Sequence, residues 1–322
     1  MNLRIFPLAL LLQITSVASV IAQRNEQAIL LKTATGDLHG TLLIPENKQP
    51  LPVVLIIAGS GATDRNGNAP GMNADIYRAL ADSLSANGIA SLRYDKRGVG
   101  ESTPAMRSES ELTFDVSIAD AAGWIGSLKS DPRFSTVTVL GHSEGSLIGM
   151  IAAKTAHADG YISVSGAGQR IDRIIIKQLR EAAPQFAEQA SILLDSLSKG
   201  YTVHEPGGPL NSLFRSSVQP YVISWLKRDP QEEIKKITIP ILILQGTTDI
   251  QVSVDEARML KAAKPEATLV LIDSMNHILR QAPADRQANI LTYNVPSLPL
   301  KPQLVSAIDV FVFHRVKRTR PA

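Results

Sequence analysis

The chain is 322 residues long, 44% hydrophobic and 20% charged, with 33 basic against 30 acidic side chains and no cysteine. That length and apolar content suit one catalytic domain with a modest insertion and exclude disordered and fibrous classes. The near-balanced charge gives no support to nucleic-acid binding, and the lack of cysteine removes disulfides, thiolate nucleophiles, cysteine zinc sites and a lipid-modified N-terminal cysteine.

Residues 1–22 read as a secretory signal: Arg4 supplies the positive end, 5–12 an apolar stretch, and Val20-Ile21-Ala22 a cleavage site before Gln23. The competing reading is an uncleaved membrane anchor, but Gln13, Thr15, Ser16 and Ser19 interrupt an already short apolar run, so no membrane span is expected once the signal is removed. Export without disulfides fits a bacterial periplasm or the cell exterior. The basic cluster Lys317, Arg318 and Arg320 reads as a solvated tail.

Two alternating stretches, 28–33 and 38–44, are separated by Gly36-Asp37 and predict an antiparallel hairpin at the sheet edge. The run 53–58 is continuously apolar, as in a strand buried on both faces. A helix from about residue 74 carries Ile76, Leu80 and Leu84 on one face and stops at Gly88, where a left-handed C′ conformation is available. Strand 89–94, helix 113–128, strand 136–140, a helix after Ser143 and strand 161–165 follow. The alternation predicts a mostly parallel sheet flanked by helices.

It resumes at strand 239–244, a helix opened by Ser253 and Glu256 in capping-box spacing, strand 268–272 and a helix over 303–313, which makes eight strands. Between the sixth and seventh strands, 166–238 is too long for a simple crossover and is rich in amphipathic helical pattern, so a helical cap is expected there. The catalytic domain then comprises 23–165 and 239–322.

Gly141-His142-Ser143-Glu144-Gly145 has the Gly-x-Ser-x-Gly pattern of a nucleophile elbow, placed directly after one apolar run and directly before another. Small flanking residues suit a strained strand-to-helix turn that leaves no room for side chains two positions either side. Serine needs a base to take its proton and a carboxylate to orient that base. Of six histidines, His39 lies in the hairpin, His142 in the elbow, His157 behind a helix, His204 in the inserted stretch and His314 at the end of the last helix. His277, a short loop after the eighth strand, falls at the carboxyl edge of the sheet and is the expected base.

Asp249, after the seventh strand, is the expected acid. Asp255 reads instead as first-turn charge of a helix and Asp273 as a turn residue too near His277. The oxyanion that forms during acyl transfer needs backbone N–H donors. Glu144 is one candidate. The loop Ala58-Gly59-Ser60-Gly61 offers the other, with Ser60 preferred and Gly61 next, although a tight structural turn explains these glycines equally well.

Taken with the elbow, 59–67 (Gly-Ser-Gly-Ala-Thr-Asp-Arg-Asn-Gly) and 94–102 (Tyr-Asp-Lys-Arg-Gly-Val-Gly-Glu-Ser) resemble the α/β-hydrolase superfamily, and 59–67 is similar to exported bacterial carboxylesterases related to the serine aminopeptidase S33 group. The resemblance implies the α/β-hydrolase fold, hydrolysis of short acyl esters of small molecules, a Ser143, Asp249, His277 triad with oxyanion donors from Ser60 and Glu144, and neither cofactor nor metal. The chain departs from the family's common His-Gly oxyanion motif by having Ala58-Gly59. Asp95, Arg97 and Ser102 fall in a loop motif of structural role, and Asp64 and Arg65 are expected to pair locally. Two other readings stay open: a peptidase or amidase of the S33 type, and a non-catalytic binding protein of hydrolase fold.

Overall fold

A computed structural model describes residues 25–46 and 50–317; the expected signal segment and the basic residues Arg318 and Arg320 lie outside the described residues. The chain opens with strands β1 (Glu26–Thr33), β2 (Gly36–Leu43) and β3 (Leu51–Ile57), then helix α1 (Ile76–Ala86) and β4 (Ala90–Tyr94). Next come α2 (Phe114–Ser130), β5 (Phe134–His142), α3 (Glu144–Thr155) and β6 (Gly160–Val164). Five helices follow before the sheet resumes: α4 (Ile171–Ala182), α5 (Ala187–Ser198), α6 (Asn211–Phe214), α7 (Gln219–Leu226) and α8 (Pro230–Lys235). The remainder is β7 (Ile241–Gly246), α9 (Val254–Ala263), β8 (Thr268–Ile272), α10 (Arg286–Leu291) and α11 (Pro302–His314).

The eight strands form one sheet in the order β1-β2-β4-β3-β5-β6-β7-β8. β1 and β2 form the expected hairpin, and β2 meets β4 antiparallel; every pairing from β4 to β8 is parallel. β3 shows why its sequence is continuously apolar. Val53, Leu55 and Ile57 enter the core beneath α2 and α3, while Val54 and Ile56 enter the opposite core with α1 and α11. A period of two thus serves two buried faces at once.

α1 buries Ile76, Tyr77, Leu80, Ala81 and Leu84. It ends where Gly88 takes φ 81, with Ile89 N–H donating to the Leu84 carbonyl and Gly88 N–H to that of Ser85, each at 3.0 Å. This is a Schellman closure. The helices between β6 and β7 bury an apolar cluster of their own, including Ala190, Leu194, Leu197 and Phe214. α7 seats this group on the sheet domain: Trp225 stacks on Phe114 at 5.4 Å between ring centroids, and Ser224 Oγ accepts from Phe114 N–H at 2.8 Å.

One local expectation fails. Ser253 does cap α9 by position, but no capping box forms, because Glu256 is buried and turns its carboxylate to Gly168 N–H, Gln169 N–H and Gln169 Nε2 at 3.0, 3.1 and 2.8 Å. Three donors on the loop that leads into α4 outbid a single N-cap amide. Among the described residues no helix is long and apolar enough to cross a membrane.

Candidate active site

β5 runs straight into α3 through Ser143, whose φ of 55° and ψ of −121° make it the strained residue of the turn. Only glycine fits two positions to either side. A Cβ on Gly141 would lie 2.1 Å from the Gly145 carbonyl oxygen, and one on Gly145 would lie 2.4 Å from that of Ile57. The strain lifts Ser143 to the carboxyl edge of the sheet at the N-terminus of α3.

Asp249 and His277 reach the same edge from the ends of β7 and β8. His277 Nδ1 stands 2.9 Å from Asp249 Oδ2. The other carboxylate oxygen accepts from Gln251 N–H at 2.9 Å and Val252 N–H at 3.0 Å, and Gln245 Nε2 donates to Oδ2 at 3.2 Å. Burial opposes ionisation of Asp249, but the neighbouring His277 imidazole and these hydrogen bonds outweigh it and hold the carboxyl below its ordinary value. An ionised Asp249 only accepts, so Nδ1 carries the proton and Nε2 is left as the basic nitrogen. Among the described residues no hydrogen bond joins Ser143 Oγ to His277.

The loop after β3 lies against the elbow: a Cβ on Gly59 would sit 3.2 Å from Ser143 Cβ. Ser60 follows, exposed, and Gly61 takes φ 75°. Among the described residues neither Ser60 N–H nor Glu144 N–H donates to any protein acceptor, the latter because it belongs to the unpaired first turn of α3. Ser60 and Glu144 line the same cavity as Ser143.

Two sets of contacts around this site were not foreseen. The first joins Tyr77 and His142. Gly59 N–H donates to Tyr77 Oη at 2.9 Å, Tyr77 Oη lies 2.8 Å from His142 Nδ1, and His142 Nε2 lies 2.9 Å from the His277 carbonyl oxygen. A carbonyl only accepts, so Nε2 is protonated and Nδ1 accepts from the tyrosine. Burial, reinforced by neighbouring His277, pushes the His142 pKa down to about 3, so this imidazole is neutral.

The second centres on Lys96, which donates to the Gly59 carbonyl and stands 3.6 Å from Glu144 Oε2, while Tyr221 Oη of α7 donates to Glu144 Oε1 at 2.8 Å. Burial lowers the Lys96 pKa against the opposing pull of Glu144. Side-chain identity in these positions gives no hint of such partners, because each arrives from a distant element.

Asp95 satisfies donors as expected, accepting from Arg65 N–H at 2.8 Å and Glu101 N–H at 3.0 Å, and Ser102 Oγ accepts from His39 N–H at 2.9 Å. Arg97 pairs bidentately with Asp120 at 2.6 and 2.7 Å. Asp64 and Arg65, expected to pair with each other, do not. Asp64 accepts from Asn66 and Asn68 N–H within its own turn, and the Arg65 guanidinium goes to Asp95 and Glu101, which lie on the neighbouring loop. Among the described residues no group of three His, Asp or Glu side chains is placed to hold a metal ion.

Residues 70–281 match the family described as serine aminopeptidase, S33. Esterase EstD of Thermotoga maritima is 29% identical over 257 residues; the match covers 75% of this chain and 58% of that protein, so the chain spans under two thirds of the relative's length. Among solved structures, Est1E from Butyrivibrio proteoclasticus superposes with a TM-score of 0.54 at 18% identity, over 87% of this chain and 98% of that one. Dienelactone hydrolase from Anabaena variabilis gives 0.52 at 17% identity, over 92% and 100%. At such identities the structural likeness is one of fold.

Proposed function

The chain belongs to the serine aminopeptidase S33 family and has the α/β-hydrolase fold, and from that premise we propose that it is a serine carboxylesterase acting through an acyl-enzyme on Ser143. The observation that carries the reading is the 2.9 Å pairing of His277 Nδ1 with Asp249 Oδ2 at the sheet edge where the Ser143 elbow opens. The relative named as an esterase supports it.

In the proposed cycle His277 Nε2 takes the Ser143 hydroxyl proton as Oγ bonds to the ester carbonyl carbon. The negative oxygen is met by Ser60 and Glu144 N–H, and α3 adds the positive end of its dipole. Collapse breaks the bond to the alcohol oxygen, which leaves with the proton from His277. A water then gives a proton to the same nitrogen, attacks the acyl carbon and releases Ser143. The balance is one water consumed, one carboxylic acid and one alcohol formed. In this reading helices 166–238 serve as a cap over the site, and the substrates are carboxylic esters with short acyl chains.

Ser143→Ala tests this directly. The purified variant should lose p-nitrophenyl acetate turnover and labelling by a fluorophosphonate probe, with aminoacyl-nitroanilides turned over poorly by the unaltered chain. Wild-type turnover by the variant would sink the proposal. Export rests on residues 1–22 alone; an exported product whose N-terminus is Gln23 is the expected result of N-terminal sequencing.

A further inference from the structure

Two cavities meet at the candidate oxyanion donors, sharing Ser60, Glu144 and Trp225. The smaller, about 110 Å³, is bounded by Ser143, by Ile171 and Ile174 of α4, and by Gln251 and Val252 beside Asp249. The larger, about 450 Å³, opens on the other side, between the loops after β3 and β4, α2 and α7. That volume falls inside the roughly 300–1,000 Å³ range of small-molecule sites.

The sheet order assigns the two sides. β4 and β8 lie on opposite sides of β5, so His277 and Asp249 stand on the side of the smaller cavity and away from the larger. An ester's leaving oxygen must take its proton from the histidine, so the alcohol lies on that side. The acyl group is then directed past Ser60 and Glu144 into the larger cavity.

The walls of the larger cavity define what it accepts. Val99, Met106, Leu112, Tyr221, Val222 and Trp225 give an apolar, partly aromatic lining. Its charged residues are paired among themselves: Arg97 with Asp120, Arg215 with Glu109, and Lys96 with Glu144. Neither a carboxylate nor an ammonium on the substrate would find a free counter-charge there, and burying one unpaired is costly.

We propose that the larger cavity binds the acyl group and selects neutral, bulky apolar acyl groups, aryl-alkyl or branched, on esters of small alcohols. This rests on the esterase reading above. The test uses methyl esters, so that the leaving group is constant, with the purified unaltered protein and titration of released acid. Methyl 3-phenylpropanoate should exceed methyl acetate in kcat/KM by at least about tenfold, the effect of burying part of a phenyl ring's apolar surface, and methyl hydrogen succinate should fall below both.

Leu112→Trp, which fills the cavity from a half-buried position, should reduce the phenylpropanoate-to-acetate ratio by about tenfold. Leu112→Ala should leave the ratio above one, and fluorophosphonate labelling reports that either variant is folded. An acetate rate equal to or above the phenylpropanoate rate overturns the inference while leaving the esterase reading intact. Failure to hydrolyse any ester, with Ser143 unlabelled, overturns the esterase reading itself.

Discussion

His142 Nε2 donates to the backbone carbonyl of His277 across 2.9 Å, so the residue before the elbow serine holds the main chain of the histidine that pairs with Asp249. Through Nδ1 the same ring accepts from Tyr77, which in turn accepts from Gly59 N–H on the loop that carries Ser60. One neutral imidazole thus ties three strand ends together: β3, β5 and β8.

The neutrality of His142 sets a pH dependence of stability. Its folded pKa is pushed down to about 3, whereas an unfolded histidine titrates near about 6.5. Below that value the unfolded chain binds a proton that the folded chain does not, so stability falls with acidification at a slope approaching about 1.4 kcal/mol per pH unit. Asp249, with its carboxyl lowered, also loses stabilisation in acid, but only as pH falls below its unfolded value near about 3.9. Urea unfolding between pH 4.5 and 6.5 therefore reports mainly on the histidine, with the lowered carboxyls of Glu101 and Glu109 adding to the slope at the acid end, and His142→Gln should flatten the curve there.

Tyr77→Phe removes the acceptor of Gly59 N–H and the donor to His142 Nδ1, both buried. Orphaning them should cost about 1–3 kcal/mol in thermal or urea unfolding. Because Gly59 precedes Ser60, the proposed oxyanion donor, kcat for p-nitrophenyl acetate should drop about tenfold as that loop loosens.

Lys96 bridges the two chain segments that present Ser60 and Glu144. Lys96→Met should lower kcat by about 10–100-fold with KM changed less than about threefold, since the proposed oxyanion donors act on the transition state rather than on the bound ester. The substitution leaves the Glu144 carboxylate, 4% exposed, with Tyr221 but no cation. Adding Glu144→Gln should recover part of the lost stability, and a thermal-melt double-mutant cycle reads the coupling.

Asp249→Asn keeps the shape of the site but lets the amide donate to His277 Nδ1, stabilising the wrong tautomer. A kcat loss of about 10³–10⁴ is expected, with a modest drop in melting temperature because the amide meets Gln245 Nε2, a second donor, in place of Oδ2. Steady-state ester hydrolysis beside circular dichroism checks both halves.

Gly145→Ala drives a methyl to 2.4 Å from the Ile57 carbonyl oxygen and 2.6 Å from that of Ala58. These are backbone atoms at the end of β3 and just beyond it, and they cannot swing aside as a side chain would. The variant should be destabilised by about 3 kcal/mol or more, measured as a lower urea midpoint.

What the sequence alone determined is local and periodic. The double-sided apolar run of β3, the amphipathic α1 with its Gly88 stop, the order of strands and helices, and the glycine-flanked Ser143 all follow from short-range sterics and from which faces must leave water. Chain order then singled out Asp249 and His277, and the structure brings those two side chains together.

Only the tertiary structure decided which distant groups meet. Nothing in the sequence marks Tyr77, and His142 is legible only as lying in the elbow, yet they form a relay, because neither spacing nor composition records a contact between residues 65 positions apart. Nothing in the sequence pairs Lys96 with Glu144 or brings Tyr221 to the same carboxylate; the packed fold does both. Ser253 and Glu256 match a capping box by spacing, but Glu256 is drawn to Gly168 and Gln169, because a buried carboxylate goes where the fold concentrates unpaired donors. Asp64 and Arg65 part for the same reason. The lining of the two cavities is likewise assembled from loops after β3 and β4, two sheet helices and the inserted helices, so its size and neutrality exist only once those segments are packed.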